Sequence, residues 1–456
     1  MTRSLRTALP FILLLILWSQ SAGASEEAGS TIVHSYASTL FWMAILLLFA
    51  KLASLVEKIG QPSVLGELVI GVVLGNLALL GFTAFEAAEA DPLLKFLAEL
   101  GVIILLFQIG LESNIQKMTK VGIPAFLVAM VGVVVPFVLG TYIVGPFLMP
   151  GLSSNAYLFL GAALTATSVG ITARVFKDLG KLQTPEAQIV LGAAVIDDVI
   201  GLIILAVVSA IATVGSVSGF TIALISGKAI AFLVGSIVLG RFFAPWFGNA
   251  FSRIQTGVGM KFTLAISFGL LLAAAAQAIG LAPIVGAFAA GLVLDPVHFR
   301  YFKDLHIVDD VRKAMKDVSP EVQKKIEEVI EPHAERHIEY LVEPLGHFLV
   351  PLFFVMTGMA VNLSTLFDPS IILVALGITI VAFAGKIVAG LAAGRVKKSL
   401  VGWGMVPRGE VGLIFATIGR GLGVVTDELF SVIVIVVILT TLLTPPILTY
   451  QLRRLA

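Results

Sequence analysis

The chain has 456 residues, 58% of them hydrophobic and only 13% charged, with a formal net charge of +1. Such a composition excludes a soluble globular domain, and near-neutrality leaves no electrostatic footprint for nucleic acid. Cysteine is absent, which removes disulfides, thiolate metal sites and cysteine nucleophiles together.

Residues 1–24 read as a signal peptide. Arg3 and Arg6 form a positive start, Leu9 to Trp18 a short apolar core, and Ala22-Gly23-Ala24 a small-residue cleavage site. Cleavage after Ala24 places the mature N-terminus outside the membrane.

Thirteen apolar segments follow, each read as a membrane-spanning helix: 32–55, 62–81, 93–111, 122–148, 156–176, 187–213, 219–241, 262–280, 281–295, 343–361, 371–393, 401–420 and 428–449. The expected class is an all-α polytopic membrane protein. With 44 Gly and 19 Pro, many inside these runs, several helices are expected to be broken or closely packed. Starting outside, the inward-facing gaps hold Lys58, Lys117, Lys120, Lys177, Lys181, Arg241, Arg253, Lys261, Arg395, Lys397 and Lys398, and the tail adds Arg453 and Arg454. The outward gaps hold Glu86, Glu89, Asp91, Asp368, Asp427 and Glu428, with Lys95 and Arg420 as the basic residues near that face. Positive charge therefore marks the cytoplasmic side, with the C-terminus inside.

The one sizeable hydrophilic piece is the loop 296–342. Ser319-Pro320-Glu321 has the form of a helix start, and alternating charge follows, which suits a solvated cytoplasmic helix. His298, His306, His333, His337 and His347 allow a second reading as a pH-responsive element. His333 and His337 have metal-ligand spacing, but no matching acidic or histidine partner is obvious.

The chemistry sits in four of the spans. Span six carries Asp197 and Asp198 mid-way along an apolar run, and each acid at a helix centre costs about 2.5–3.5 kcal/mol to insert. Successive helix residues point about 100° apart, so the two carboxylates face different neighbours and can hold different roles. The plainer reading is a neutralised pair that only holds helices together; intramembrane acids lean instead toward ion and proton pathways.

Span five contains Thr165, Thr167, Ser168 and Thr172 around Gly170, as suits a helix that unwinds and offers oxygens to a cation. Hydroxyls bonding back to their own helix are the alternative. Span twelve reads Gly402-Trp403-Gly404-Met405-Val406-Pro407-Arg408-Gly409-Glu410, a second break. Arg408 and Glu410 would offset the partial charges of half-helix ends there, or Glu410 would be a transport ligand. Lys386 stands alone in span eleven and needs a carboxylate, Asp197 or Asp198, unless it snorkels to the surface. Glu67 and Gln108 are further polar positions, read as structural or entrance-lining.

Spans four to six and eleven to thirteen each contain a broken middle helix. An offset of seven spans gives the triplets opposite orientation, so an inverted repeat with a site at the midplane is expected. No phosphate-cradling glycine motif occurs, which leaves no nucleotide-binding domain and no cofactor.

The segments AAVIDDVIGL, ALTATSVGITARV and GMVPRGEVGL resemble the cation:proton antiporter-2 family, in its electrogenic sodium/proton branch of bacterial NapA-type antiporters. The resemblance runs through nearly all thirteen spans. It implies two crossed, broken helices in a core domain, with repeats at 122–213 and 371–449, that moves against a dimerisation domain at 32–111 and 262–361, joined by 219–241. It further implies a homodimer embedded in lipid, with Asp198 binding Na⁺ and exchanging protons. Asp197 would pair with Lys386 in one state and release it in another, and Thr167 would lie at the crossover. The loop 296–342 departs from the family pattern.

The expected mechanism is competition between cation and protons for one carboxylate site under alternating access, with the coupled acids exchanging two protons for one Na⁺ or Li⁺. An electroneutral K⁺/H⁺ antiporter and a Na⁺-coupled organic-anion symporter of similar architecture are the transport alternatives. An intramembrane aspartyl protease needs carboxylates facing each other across a substrate, which neighbours on one helix cannot supply. A channel would need selectivity rings, which are not evident.

Overall fold

The computed structural model describes residues 36–59, 61–112, 122–214, 219–294, 337–364 and 369–454, with isolated positions between 311 and 326. The signal peptide, most of the loop 296–342, and Lys117 with Lys120 lie outside the described residues. Among the described residues there are helices and no strands.

In chain order the helices are α1 (Tyr36–Ala53), α2 (Ser63–Gly75), α3 (Pro92–Glu112), α4 (Gly122–Val138), α5 (Ser154–Thr165), α6 (Val169–Asp178), α7 (Pro185–Val214) and α8 (Gly219–Ser252). There follow α9 (Val258–Ala278), α10 (Pro283–Val293), α11 (His337–Met359), α12 (Pro369–Ala389), α13 (Lys398–Gly404), α14 (Glu410–Gly421) and α15 (Asp427–Arg453). Eight are long and apolar enough to cross a membrane: α1, α3, α4, α7, α9, α11, α12 and α15. Many large apolar side chains point outward, among them Leu48, Phe147, Leu373 and Ile380. A surface of that kind is stable against lipid and not against water.

Helix starts follow ordinary capping chemistry. Ser153 and Thr426 accept from Ala156 N and Leu429 N at the heads of α5 and α15. Asp91 accepts from Leu93 N and Leu94 N at the head of α3, and its other oxygen takes a bond from Thr39 of α1 at 2.5 Å.

The close packings fall into two groups. In one, α3 packs on α10 and α11, α2 on α11 and α1, and α9 on α10. In the other, α4 packs on α7 and α12, α5 on α14, and α15 on α12, α13 and α14. Helix α8 touches α7 on one side and α10 on the other. Small residues permit the tightest approaches: a Cβ on Gly110 of α3 would lie 3.0 Å from the Cα of Gly291 of α10.

Two of the expected spans are broken. Helix α5 stops at Thr165, Ala166 turns extended with ψ 141°, and α6 begins at Val169. Helix α13 stops at Gly404 and α14 begins at Glu410. In the second break Pro407 lacks the N–H that a continuous helix would need. The first contains neither Gly nor Pro between Thr165 and Val169, so its local sequence alone does not force it.

Candidate functional site

The two breaks meet. The Ser168 N–H donates to the Pro407 carbonyl at 2.7 Å, which joins the two extended segments as a single rung. Across the same crossing the Thr172 hydroxyl donates to Gly404 O at 2.7 Å and the Thr167 hydroxyl to Met405 O at 3.4 Å. These carbonyls end half-helix α13 and have no partner within it, so hydroxyls from α6 and its approach serve them instead. Thr165 alone of the three threonines bonds back to its own helix, at Ala162 O. Gly409 is required at the contact: a Cβ there would meet Ser168 Cβ and Oγ at 2.8 Å.

Arg408 projects from the second break into the first. It is fully buried, and its Nη2 donates to Leu164 O at 2.5 Å, in the last turn of α5. The same nitrogen reaches Ala382 O of α12 at 3.3 Å, and Nη1 reaches Val406 O at 3.4 Å. A guanidinium on the carbonyl end of a half-helix offsets its partial negative charge. The counter-charge for one broken helix is thus supplied by the other. Glu410 supplies the first residue of α14, and its side chain lies outside the described ones.

Helix α7 runs past this crossing and carries the two acids. Lys386 of α12 donates to Asp197 Oδ2 at 3.0 Å, with both side chains buried. Asp197 also interacts with Arg408, and the Thr167 hydroxyl stands beside its carboxylate. A hydroxyl has one proton to give, so Thr167 serves Met405 O or Asp197 but not both. Asp197 Oδ1 has no hydrogen-bond partner. Asp198 stands within electrostatic reach of Lys386. It is the more accessible acid, 8% exposed against 2% for Asp197.

The structure therefore brings Asp197, Asp198, Thr167, Lys386 and Arg408 to one place. It leaves Glu67 buried in α2, whose close packings are with α1 and α11. His347 lies on α11, exposed and 3.8 Å from Glu343. Two contributors escaped the sequence reading. The Thr441 hydroxyl of α15 donates to the Arg408 carbonyl, and Gly132 of α4 adjoins Lys386, whose Nζ lies at ordinary contact distance, 3.7 Å, from where a Cβ would stand. Thr440-Thr441 amid apolar residues was a visible signal for the first. Nothing in the sequence singles out Gly132 among 44 glycines.

Chemically, two carboxylates, the Lys386 amine and the Arg408 guanidinium gather where the half-helix ends cross. Carboxylate, hydroxyl and carbonyl oxygens are hard donors, suited to a small alkali cation or to protons. Two broken helices crossing beside intramembrane carboxylates, in a multi-pass apolar chain, define a secondary ion transporter.

Comparison with known proteins agrees. Residues 44–453 match the family described as sodium/hydrogen exchanger, transmembrane, and the chain belongs to that family. It is 34% identical to the high-affinity Na⁺/H⁺ antiporter NhaS3 of Synechocystis, over 95% of this chain and 94% of that protein. It is 32% identical to the Na⁺/H⁺-K⁺ antiporter GerN of Bacillus cereus, over 90% and 95% respectively. Its fold is similar to that of the sodium proton antiporter MjNhaP1 of Methanocaldococcus jannaschii at pH 8, with a TM-score of 0.64 and 16% identity. That match covers 91% of this chain and 99% of the other.

Proposed function

We infer that the chain exchanges Na⁺ for protons across a bacterial inner membrane, electrogenically, with Asp198 as the site where cation and protons compete. The observation that carries this reading is the buried Lys386–Asp197 pair beside the more accessible Asp198, at the crossing of two broken helices. Asp198 binds the cation through its carboxylate oxygens. Loss of the Lys386 bond frees Asp197 to take part, so two acids exchange protons against one monovalent cation.

In this reading the thirteen segments cross the membrane, with α5–α6 and α13–α14 each forming one interrupted crossing. The triplets α4–α7 and α12–α15 form the inverted repeat. The group containing them is the moving core, and the group of α1–α3 and α9–α11 is the static, dimer-forming part. The face bearing Glu89 and Asp427 is external, and the face bearing Arg453 is cytoplasmic.

The test uses purified protein in proteoliposomes with a lumenal pH dye. Proton movement on adding external Na⁺, at a rate that follows a clamped membrane potential, supports the reading. The K⁺ in the name of the GerN relative keeps one alternative. A response to K⁺ alone, indifferent to voltage, moves the assignment to electroneutral potassium exchange and gives Asp197 a different role.

A further inference from the structure

Among the described residues, a buried cluster joins the two helix groups at one end and none joins them at the other. One buried cluster unites them: it contains Phe85, Ala88, Leu94 and Val361 of the first group with Phe159, Val425, Leu429 and Phe430 of the second. Most of its core-group members lie on the Glu89/Asp427 half of their helices, with Ala382 of α12 just past the middle. On the opposite half the clusters stay within one group. Val128, Val190, Ala389 and Val401 pack together in one, Phe176, Leu400, Leu448 and Leu452 in another. Neither contains a residue from α1–α3 or α9–α11.

At the joined end one side chain bridges the groups. Arg420 ends α14, the half-helix that leads straight from the crossing. Its Nη1 donates to Ala360 O at 2.9 Å, the carbonyl that follows α11. A cation on a helix-end carbonyl is a favourable tie. The segment beyond is pinned from the other side, because Asn76 of the α2 end donates to Val361 O and accepts from Leu363 N, both at 2.7 Å. Within its own group Arg420 pairs with Asp427 at 3.0 Å and lies over the Phe430 ring at 4.9 Å. Glu89, between α2 and α3, adds a carboxylate that attracts it from the opposite group.

We propose that Arg420 is a conformational latch that holds the Glu89/Asp427 face closed, through the Ala360 carbonyl, and must release for the ion site to open to that face. The proposal rests on the alternating-access reading above. Asp427 and Phe430 keep the guanidinium aimed while it is released, since they travel with it.

The natural absence of cysteine makes the test direct. Val361 is 2% exposed and directly follows Ala360, whose carbonyl Arg420 holds. A single Val361→Cys is introduced, and a membrane-impermeant maleimide is applied to each side of vesicles in turn. With Arg420→Ala, labelling from the Glu89/Asp427 side is expected to accelerate at least several-fold. Arg420→Met, which keeps the apolar stem over Phe430, is expected to do the same, and it decides the matter if the alanine variant fails to fold. Asp427→Asn removes the charge of the partner within the group, while its amide oxygen can still accept from Arg420, and is expected to leave labelling unchanged. Equal rates with and without Arg420 overturn the proposal, as does equal acceleration by Asp427→Asn, which signifies local loosening. Na⁺/H⁺ exchange is measured in the same vesicles. Absence of exchange in the parent protein overturns the functional reading, whereas the labelling rates still report the latch.

Discussion

Lys386 Nζ lies 3.0 Å from Asp197 Oδ2, with both residues buried and Asp197 Oδ1 left without a partner. One oxygen of this carboxylate is held by Lys386, and the other has no hydrogen-bond partner. Removing one member of a buried ion pair typically costs about 3–5 kcal/mol, because the remaining charge is stranded. Lys386→Ala is therefore expected to lower stability by that order, measured by thermal unfolding in detergent, and to alter the voltage dependence of exchange. Unchanged melting together with unchanged voltage dependence would remove Asp197–Lys386 from the mechanism.

Asp198→Asn keeps the size of the side chain and removes its charge and its proton. Exchange is expected to fall to background while the protein still folds, because Asp198 is the more accessible acid. Robust exchange by this variant sinks the site assignment.

Arg408 satisfies carbonyls of Leu164 and Ala382 from other helices and stands near Asp197. Arg408→Lys keeps one charge but not the fork that reaches several acceptors at once. It is expected to destabilise the protein by about 1–3 kcal/mol through unserved buried carbonyls. A variant as stable as the parent in thermal unfolding would show that the cross-cap is dispensable.

At the crossing, a Cβ on Gly409 would press against Ser168 at 2.8 Å. Gly409→Ala is expected to push the two breaks apart, weaken the Ser168–Pro407 bond and cost about 1–3 kcal/mol, the usual range for overpacking. Exchange should fall with it. Normal stability and normal turnover would mean that the rung between the breaks does not hold the site.

Glu89 lies outside the membrane-spanning segments. Burial raises its carboxyl above the ordinary range, against the opposing pull of Arg420 and Lys95, while Glu86 and Asp427 push it further up. A raised folded-state pKa means a contribution to stability that is full below the ordinary carboxylate pKa and is lost as pH rises through the raised value. Glu89→Gln does not titrate, so its melting temperature relative to the parent should climb as pH rises through that window. A difference that stays flat with pH, or falls, contradicts the partial burial of this acid.

Much of this was legible in the sequence because a bilayer makes polar residues conspicuous. An Asp pair, a lone Lys and an Arg within apolar runs each carry a large transfer cost, so they stand out without an alignment. The Pro407 break was legible for a related reason, since proline removes a backbone donor at a known position. The break at Ala166–Ser168 was only hinted at by hydroxyls. It is held open by partners more than two hundred residues away: Pro407 for Ser168, Met405 for Thr167 and Gly404 for Thr172.

The sequence by itself determined that the chain is a helical, multi-pass membrane protein, and which charged residues must find partners, because local hydropathy measures the cost of inserting each group. It did not determine who those partners are. Asp197 rather than Asp198 meets Lys386, Arg408 caps the other broken helix, and Arg420 reaches across to Ala360. A rotation of about 100° between adjacent helix residues, or a slide of one helix turn, would have exchanged these pairings at no change in hydropathy. Packing of one helix on another is what selects among them.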